Sequence, residues 1–356
     1  MALPTQTRQW VLTHNPTSLP TLSGPNPTFK QSNAAIPALK DNQVLLKVLY
    51  LSNDPAQRGW ISYHANPERL YLPPVKVGDV MKARAVAEVV DSKAKGLKKG
   101  TIVTANAGWK EYRVADASEC SPCADIPGLK PTHFLGALGM TGMTALYGLR
   151  DIAKADPADT VVVSGAAGAT GSMVVQIAKN LIGCKRVVGI AGTAEKCRWV
   201  ESLGADVCLN YKSPSFKDDL ANATPDYANV YFDNVGGEIL DLMLARMTRH
   251  GRVAACGAVS AYNSSEPMQF RNWFQVISLR IQILGFIVLD FAPKMAEGTR
   301  ELIAAYKEGK IRIGDETEMV VDTAFEQIPR TWMMLFEGGN TGKLITKVKS
   351  GESASL

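Results

Sequence analysis

The sequence predicts an α/β protein in which a doubly wound parallel sheet is inserted into a smaller, mostly β body. The first 125 residues contain short β-type runs, many prolines and no long helical period. From residue 159 onward, apolar runs alternate with helical segments, which is typical of a parallel sheet with crossover helices. Short β-type runs resume after residue 309. The last of them, residues 343–348, is expected to return to the N-terminal body.

The individual elements follow this division. In the N-terminal body we predict strands at residues 43–52, 83–90 and 101–105, separated by turn residues. Apolar residues at helical spacing predict a helix within residues 135–149. The predicted parallel strands are residues 160–164, 186–191, 207–210, 230–233, 252–256 and 281–286, and two of the crossover helices are residues 172–181 and 194–203.

Length and composition are those of a globular protein of about two domains. The chain has 356 residues, of which 46% are hydrophobic and 21% are charged. Its longest apolar run, residues 281–289, is interrupted twice and is far shorter than the roughly 20 residues of a membrane span. The first ten residues lack the apolar segment of a signal peptide. We therefore expect a cytoplasmic protein without a membrane partner.

The charge and cysteine patterns exclude several function classes. The net charge is only +5, and the densest basic stretch, residues 93–99, lacks aromatic residues that stack on bases, so no nucleic-acid partner is expected. Cys120 and Cys123 form a CxxC pair without the second pair that a four-ligand zinc site needs. HExxH and GxSxG motifs are absent. Reduced thiols and no bound metal are expected.

The segment TVVVSGAAGATG, residues 160–171, carries the strongest signal for function. A uniformly apolar strand leads into glycines at positions 165, 168 and 171, and a helix follows at once. Small residues allow the backbone to approach phosphate groups, and a helix N-terminus offers free N–H groups and a partial positive charge. We interpret this loop as a pyrophosphate site. The alternative is a tight turn that serves helix packing alone.

The end of the second parallel strand predicts which dinucleotide binds. An NAD site usually places an acidic residue there to hold the ribose hydroxyls. This chain instead has Thr193, which offers a hydroxyl, and Lys196, which offers a positive charge for a 2′-phosphate, while Glu195 is expected to point outward. We therefore predict NADP rather than NAD. The alternative for Lys196 is an ordinary solvated lysine.

Polar and small residues also follow the next strands. Because ligands bind at the carboxyl ends of such strands, we place Asn234, Gly257 and Tyr262 towards the cofactor. The segment Phe286-Ile287-Val288 ends the last strand and is a candidate wall for the nicotinamide, although a role in the core is nearly as well supported.

Seven motifs along nearly the whole chain resemble one family. They are LSNDPAQRG (51–59), VGDVM (77–81), LGMTGMTAL (138–146), the AAGATG loop, YFDNVGG (231–237), CGAVSAYN (256–263) and GGNTGK (338–343). The chain resembles the zinc-independent branch of the medium-chain dehydrogenase/reductases. The most similar group contains the leukotriene hydroxydehydrogenase/prostaglandin reductases, plant double-bond reductases and bacterial curcumin reductases.

The resemblance implies a GroES-like β-barrel domain, residues 1–130 and 316–356, and an inserted Rossmann NADP-binding domain, residues 131–315. It also implies a homodimer, and contacts of Tyr211 and Asn340 with the cofactor. The strand-end argument and the resemblance together give the expected cofactor-binding residues: Met140, Thr144, Ala167, Gly168, Ala169, Gly192, Thr193, Lys196, Tyr211, Asn234, Cys256, Gly257, Phe286, Val288 and Asn340.

The implied reaction is NADPH-dependent reduction of the C=C bond of α,β-unsaturated aldehydes and ketones. Hydride adds to the β-carbon, charge moves to the carbonyl oxygen, and a nearby hydroxyl stabilises that charge. The α-carbon then takes a proton, for which Tyr262 and water are the two candidate sources. Tyr262 is the candidate catalytic residue. The alternative is that Tyr262 only positions the cofactor. Competing interpretations of the whole protein are a zinc-independent quinone or secondary-alcohol oxidoreductase and a non-catalytic NADPH-binding protein.

One departure from the family concerns the substrate pocket. The family commonly has an aromatic residue and a methionine where this chain has Ala56 and Gln57, so a wider or more polar pocket is expected. Other side chains are candidates to refill it. The expected substrate residues are Asn53, Trp60, Tyr63, Trp109 and Tyr262.

Overall fold

The computed structural model of the chain describes residues 3–349 and divides into two compact units. The first unit contains the chain up to Leu135 and from Glu318 onward, and the second contains Gly136–Thr317. The sequence places these boundaries at 130/131 and 315/316. Leu135 packs with Val86 and Ile345, which keeps the short helix before residue 136 in the first unit. Residues 1–2 and 350–356 of the expected GroES-like domain lie outside the described residues.

The described residues form strands whose bounds are as follows: β1 (Gln6–Leu12), β2 (Phe29–Ala35), β3 (Gln43–Ser52), β4 (Arg84–Ser92), β5 (Ile102–Asn106), β6 (Tyr112–Asp116), β7 (Ser121–Pro122), β8 (Thr160–Ser164), β9 (Arg186–Ala191), β10 (Val207–Asn210), β11 (Ala228–Asp233), β12 (Met247–Ala255), β13 (Gln282–Gly285), β14 (Glu318–Thr323) and β15 (Lys343–Val348).

The α-helices of the described residues are α1 (Gln57–Trp60), α2 (Met140–Tyr147), α3 (Ala169–Gln176), α4 (Ala194–Ser202), α5 (Phe216–Ala223), α6 (Gly237–Leu244), α7 (Phe274–Ser278), α8 (Met295–Lys307) and α9 (Ile328–Met333). Short 3₁₀ segments cover Ala117–Glu119, Pro131–Leu135, Val259–Ala261, Val288–Lys294, Asp315–Thr317 and Phe325–Gln327. Two π-helical segments, Gly148–Ile152 and Ile177–Ile182, extend α2 and α3. Within residues 3–349 there is no helix whose length and apolar character would let it span a bilayer.

The second unit is built on one parallel sheet of six strands. The strands lie in the order β10-β9-β8-β11-β12-β13, and every neighbouring pair is parallel. Numbered along the chain within this unit, that order is 3-2-1-4-5-6, the arrangement of dinucleotide-binding Rossmann sheets. All five residues of β8 are buried, because helices cover both faces of the central strand. The predicted doubly wound sheet is confirmed.

The first unit contains a mixed sheet and a separate two-stranded pair. β1 and β2 pair antiparallel. The larger sheet has the order β14-β15-β3-β4-β5-β7, with β6 also paired to β3. Ile345 of β15 pairs with Ser52 of β3, so the last described strand returns to the N-terminal body as the sequence predicts.

Two predicted helices begin at other residues than expected, and a glycine lies near the start of each. The helix expected within 135–149 begins only at Met140. The segment before it passes so close to the helix that a Cβ on Gly142 would lie 1.7 Å from the Ala137 carbonyl oxygen. The helix expected from residue 172 already begins at Ala169, because Gly168 takes the extended conformation of an N-cap residue.

Candidate active site

The glycine loop after β8 contains one position that only glycine can occupy. A Cβ on Gly171 would lie 2.2 Å from the Gly165 carbonyl oxygen and 2.8 Å from the Ala166 Cα, both of them backbone atoms. Gly165 itself has a φ of +59°, in the left-handed region that favours glycine. Gly171 therefore packs the start of α3 tightly against the loop. The first N–H groups of α3 have no acceptor within the helix. The expected cofactor residues Ala167, Gly168 and Ala169 lie at this end of the helix.

The ends of β9 and β10 carry the residues expected at the adenosine side of the cofactor. Thr193 caps α4, because its hydroxyl accepts the Lys196 N–H at 3.2 Å. Glu195 is exposed, as expected. The ring of Tyr211 lies over Gly192, where a Cβ would come within 3.1 Å of the ring. The four residues Gly192, Thr193, Lys196 and Tyr211 thus lie at one corner of the sheet.

The Lys196 side chain is half-buried, and a second positive charge acts on its ammonium group. Burial lowers the pKa of its ammonium group, the positive charge of Lys212 lowers it further, and Glu195 opposes both. An anion bound at this corner would favour the charged form of Lys196. Lys212 is a residue that the sequence analysis missed.

A buried carboxylate organises the end of β11. One oxygen of Asp233 accepts four hydrogen bonds, from the hydroxyls of Ser164 (3.0 Å) and Tyr231 (2.8 Å) and from the N–H groups of Val235 (3.0 Å) and Gly236 (2.9 Å). These bonds tie the ends of β8 and β11 to the turn before α6. Sequence reasoning missed Asp233 as well, although an acid at the very end of a buried strand is a visible signal.

Asn234, Gly257 and Tyr262 meet at the carboxyl ends of β11 and β12. The Asn234 amide donates to the Ser164 carbonyl at 2.7 Å. A Cβ on Gly257 would lie 3.2 Å from the Asn234 carbonyl oxygen and 3.3 Å from the Tyr262 hydroxyl oxygen. That hydroxyl accepts the Ala258 N–H at 3.4 Å. The structure thus brings together the three residues that the sequence places towards the cofactor.

Other expected cofactor residues of the second unit surround these strand ends. Burial raises the pKa of the Cys256 thiol to about 12, and the Asp233 carboxylate contributes, which disfavours the reactive thiolate form. Phe286 packs edge-on against Phe232, with 6.1 Å between ring centres, which supports a core role for this ring.

The remaining expected cofactor residues form local contacts of their own. Val288 is half-buried at the start of its 3₁₀ segment. On α2, the Thr144 hydroxyl donates to the Met140 carbonyl at 2.7 Å. Asn340 lies in the first unit, where its amide donates to the Gly342 carbonyl at 3.0 Å.

Two expected substrate residues lie inside the first unit rather than on its surface. Trp109 is fully buried between Phe29 and Trp332, at ring-centre distances of 5.0 and 5.7 Å. Asn53 is also buried, and its amide donates to the Thr346 hydroxyl at 3.0 Å. In this structure Trp109 packs in the core and Asn53 bonds to β15, and their expected contact with substrate stays a prediction.

The expectation of a wider or more polar pocket at Ala56 and Gln57 stays a prediction, but the Gln57 side chain itself is turned inward. Gln57 is fully buried; its amide donates to the Lys82 carbonyl at 2.7 Å, and its oxygen accepts the Asp54 N–H at 2.7 Å. Trp60 is half-buried and donates to the Tyr71 hydroxyl at 2.9 Å, while Tyr63 is 67% exposed. The aromatic surface of this segment thus consists of Trp60, Tyr63 and Tyr71, of which the last was missed.

Comparison with known proteins places the chain in a family. Residues 8–123 match the family model of an N-terminal domain of oxidoreductase, and residues 169–305 match that of a zinc-binding dehydrogenase. The NADPH-dependent curcumin reductase of Escherichia coli (strain K12) is 36% identical over 351 residues, covering 96% of each chain. Prostaglandin reductase 1 of Bos taurus is 37% identical over 345 residues, covering 96% of this chain and 98% of that protein. The chain belongs to the zinc-independent medium-chain dehydrogenase/reductases.

A solved structure of this family supports the same assignment. CurA from Vibrio vulnificus in complex with NADPH has a TM-score of 0.86 and 33% identity, and the match covers 96% of this chain and 99% of that chain. The first unit is therefore the GroES-like domain of a medium-chain reductase, and the second is its Rossmann domain.

The description of the second family model names zinc, but the donor residues of this medium-chain reductase do not fit a zinc site. Among residues 3–349, no three side chains of His, Cys, Asp or Glu lie close enough to hold a metal ion. Burial also raises the pKa of the Cys123 thiol to about 11, which disfavours the thiolate that binds metals. We therefore assign no step to a metal.

Proposed function

We propose that this chain is an NADPH-dependent reductase of the C=C bond in α,β-unsaturated aldehydes and ketones. The observation that carries the proposal is the arrangement within the Rossmann unit. Three features lie at the carboxyl ends of its parallel strands. They are a tight glycine loop, the half-buried Lys196, and the group formed by Asn234, Gly257 and Tyr262. The named reductases of curcumin and prostaglandins among its relatives support the same reaction class.

The residues present fit NADPH. The open N–H groups at the start of α3 suit the pyrophosphate, and the tight packing at Gly171 keeps side-chain atoms out of that approach. Lys196 suits the 2′-phosphate, and Asn234 and Gly257 suit the nicotinamide end. When bound, the cofactor supplies the hydride. The expected roles of Tyr211 and Asn340 are part of the same proposal.

Tyr262 would stabilise the charge that develops on the substrate's carbonyl oxygen. Its hydroxyl oxygen accepts the Ala258 N–H, which polarises the O–H bond and makes it a better donor. A donor that strengthens its bond as charge develops lowers the barrier selectively. The backbone of Ala258 would thereby hold the tyrosine in place.

The test of this function is a substrate screen with and without Tyr262. We expect NADPH oxidation with enals and enones, little with quinones or simple ketones, and little with NADH. Tyr262→Phe should lower kcat on an enone at saturating NADPH by about 100-fold or more, since losing one such donor costs about 2.7–4 kcal/mol. Stopped-flow kinetics measure the rate of hydride transfer, and fluorescence titration measures the affinity for NADPH. A loss of rate with unchanged affinity indicates a catalytic role for Tyr262, and a loss of affinity indicates a positioning role.

Three outcomes would contradict the proposal. Turnover of quinones without enones would favour the quinone oxidoreductase interpretation. NADPH binding without oxidation across the whole panel would favour a non-catalytic protein. An unchanged kcat in Tyr262→Phe would remove Tyr262 from the chemistry and leave it a positioning role.

A homodimer is part of the same proposal. β13 is one of the two edge strands of the Rossmann sheet and pairs with β12 alone among the described strands. The adjoining helix α7 exposes Phe274 and Ile277 at 70% and 64%. An open edge strand beside an exposed apolar patch suits pairing with a second copy about a two-fold axis. We also propose a cytoplasmic location, which the free thiols of all six cysteines support.

A further inference from the structure

Lys212 lies at the same corner of the sheet as the residues proposed for the adenosine end of the cofactor. Asn210 at the end of β10 pairs in register with Ala191 at the end of β9, and the next N–H, that of Tyr211, donates to the Ala191 carbonyl at 3.0 Å. The segment after β10 therefore runs beside the turn that leads into α4. Lys212 is the next residue along that segment.

The backbone of Lys212 is fixed, while its side chain reaches into solvent. The Lys212 N–H donates to the Asn210 side-chain oxygen at 3.0 Å, which closes a turn directly after the strand. The ammonium nitrogen of Lys212 lies 5.9 Å from the centre of the Tyr211 ring. That ring is the one that covers Gly192. Within residues 3–349, the Lys212 side chain takes part in no ion pair.

The segments that carry Lys196 and Lys212 therefore lie side by side, and the two ammonium groups are within electrostatic range of each other. The charge of Lys212 is felt at Lys196, whose pKa is lowered by burial and by Lys212 and raised only by Glu195. Two positive charges at one corner repel each other. This electrostatic repulsion is offset when an anion that carries more than one charge binds between them. A phosphate monoester with a second pKa near 6 is such an anion at neutral pH.

We propose that Lys212 is a second ammonium ligand of the 2′-phosphate and thus a determinant of the preference for NADPH over NADH. This inference rests on the cofactor site proposed above. Lys196 approaches the phosphate from the first turn of α4, and Lys212 approaches it from the segment after β10. Tyr211, whose ring covers Gly192 beside the Lys212 ammonium group, would supply a flat face for the adenosine.

The chain offers a matched control for this lysine. Lys185 is also exposed and belongs to the same unit, but it precedes β9 and thus lies at the opposite, amino end of the same strand. A six-residue strand rises about 3.3 Å per residue, so Lys185 and the proposed site are separated by roughly 20 Å. Beyond a Debye length of about 8–10 Å its charge is screened.

The experiment compares Lys212→Gln, Lys196→Gln and Lys185→Gln in the full chain. We expect Lys212→Gln to weaken NADPH binding about threefold to tenfold, as measured by the Kd and KM, and to change the NADH values less than about twofold. Lys212→Gln should also weaken binding of 2′,5′-ADP and leave 5′-ADP unaffected. Lys212→Arg should retain most of the preference, and Lys185→Gln should match the parent.

A second readout separates ligand binding from a structural role. Removing Lys212 removes repulsion from the apoprotein, so its thermal stability should hold or rise while the stabilisation by NADPH falls. The salt dependence of NADPH binding should also weaken, because one charge contact is lost.

Several results would overturn the inference. If Lys212→Gln behaves as Lys185→Gln does, Lys212 is a solvated lysine. If NADPH and NADH weaken equally, its role is structural. A different result would support the inference and contradict only the earlier proposal for Lys196: Lys196→Gln leaves the NADPH preference intact while Lys212→Gln abolishes it.

Discussion

At the scale of single residues, Gly171 and Gly168 share a loop but differ in what surrounds them. A Cβ on Gly171 meets backbone atoms at 2.2 and 2.8 Å, which can move only if the loop or the helix shifts. A Cβ on Gly168 meets one backbone oxygen at 3.2 Å. We predict that Gly171→Ala destabilises the protein by about 1–3 kcal/mol, the cost of overpacking, and weakens NADPH binding because the loop must move.

The matched comparison is Gly168→Ala, measured by thermal unfolding with and without NADPH. It should cost less stability than Gly171→Ala, since its single close contact needs a shift of only a few tenths of an ångström. Equal melting temperatures for the two variants would show that the contact at Gly171 is not a constraint of the fold.

Single residues also show where sequence reasoning stops. Lys196, Asn234 and Tyr262 could be placed because strand ends of a parallel sheet share one edge, and that edge follows from local pattern. Their roles stay predictions. The inward orientations of Gln57 and Trp109 could not be predicted, because distant partners such as Lys82 and Trp332 decide them.

At the scale of elements, the Asp233 carboxylate links the ends of β8 and β11 to the turn before α6. Four donors share one of its oxygens, and two of them are backbone N–H groups of that turn. We predict that Asp233→Asn lowers the free energy of unfolding by about 1–3 kcal/mol, because charge-assisted bonds become neutral ones. It should also raise the KM for NADPH, since Asn234 follows directly.

Tyr231→Phe is the control for that prediction. It removes one of the four donors and leaves the charge and the backbone bonds in place, so about 1 kcal/mol or less of stability should be lost with an unchanged KM. Denaturant unfolding and steady-state kinetics on both variants provide the comparison. An Asp233→Asn variant as stable and as active as Tyr231→Phe would contradict the organising role.

The elements themselves were unequally predictable. β3, β8, β9, β10 and β15 have the predicted bounds, because each is a mostly apolar run whose ends are marked by polar or turn residues. β2 (FKQSNAA) and β14 (EMVVDT) were missed. In β2 only Phe29 is buried, and β14 depends on pairing with β15, so neither carries a clear local pattern.

At the scale of the whole molecule, the second unit is an insertion in the first. The chain forms most of the GroES-like unit, then the whole Rossmann unit, and its last part completes the GroES-like unit. The return was predictable because the short β-type runs resume after the alternating region, and β15 pairs with β3 as that pattern indicates. The boundaries were less predictable, since Leu135 belongs to the first unit through contacts with Val86 and Ile345 that sequence cannot display.

The β13 edge of the Rossmann sheet leads to a prediction about assembly of the homodimer. Phe274 and Ile277 are largely exposed beside β13, and burying one such side chain contributes about 1.5–3 kcal/mol. Phe274→Glu combined with Ile277→Lys should therefore raise the dissociation constant of the dimer tenfold or more, where about 1.4 kcal/mol corresponds to tenfold. Sedimentation velocity over a range of concentrations measures it. Val320→Lys, on the exposed face of β14 in the other unit, should sediment as the parent does. A parent that stays monomeric, or a double variant that stays dimeric, would show that this edge is not the interface.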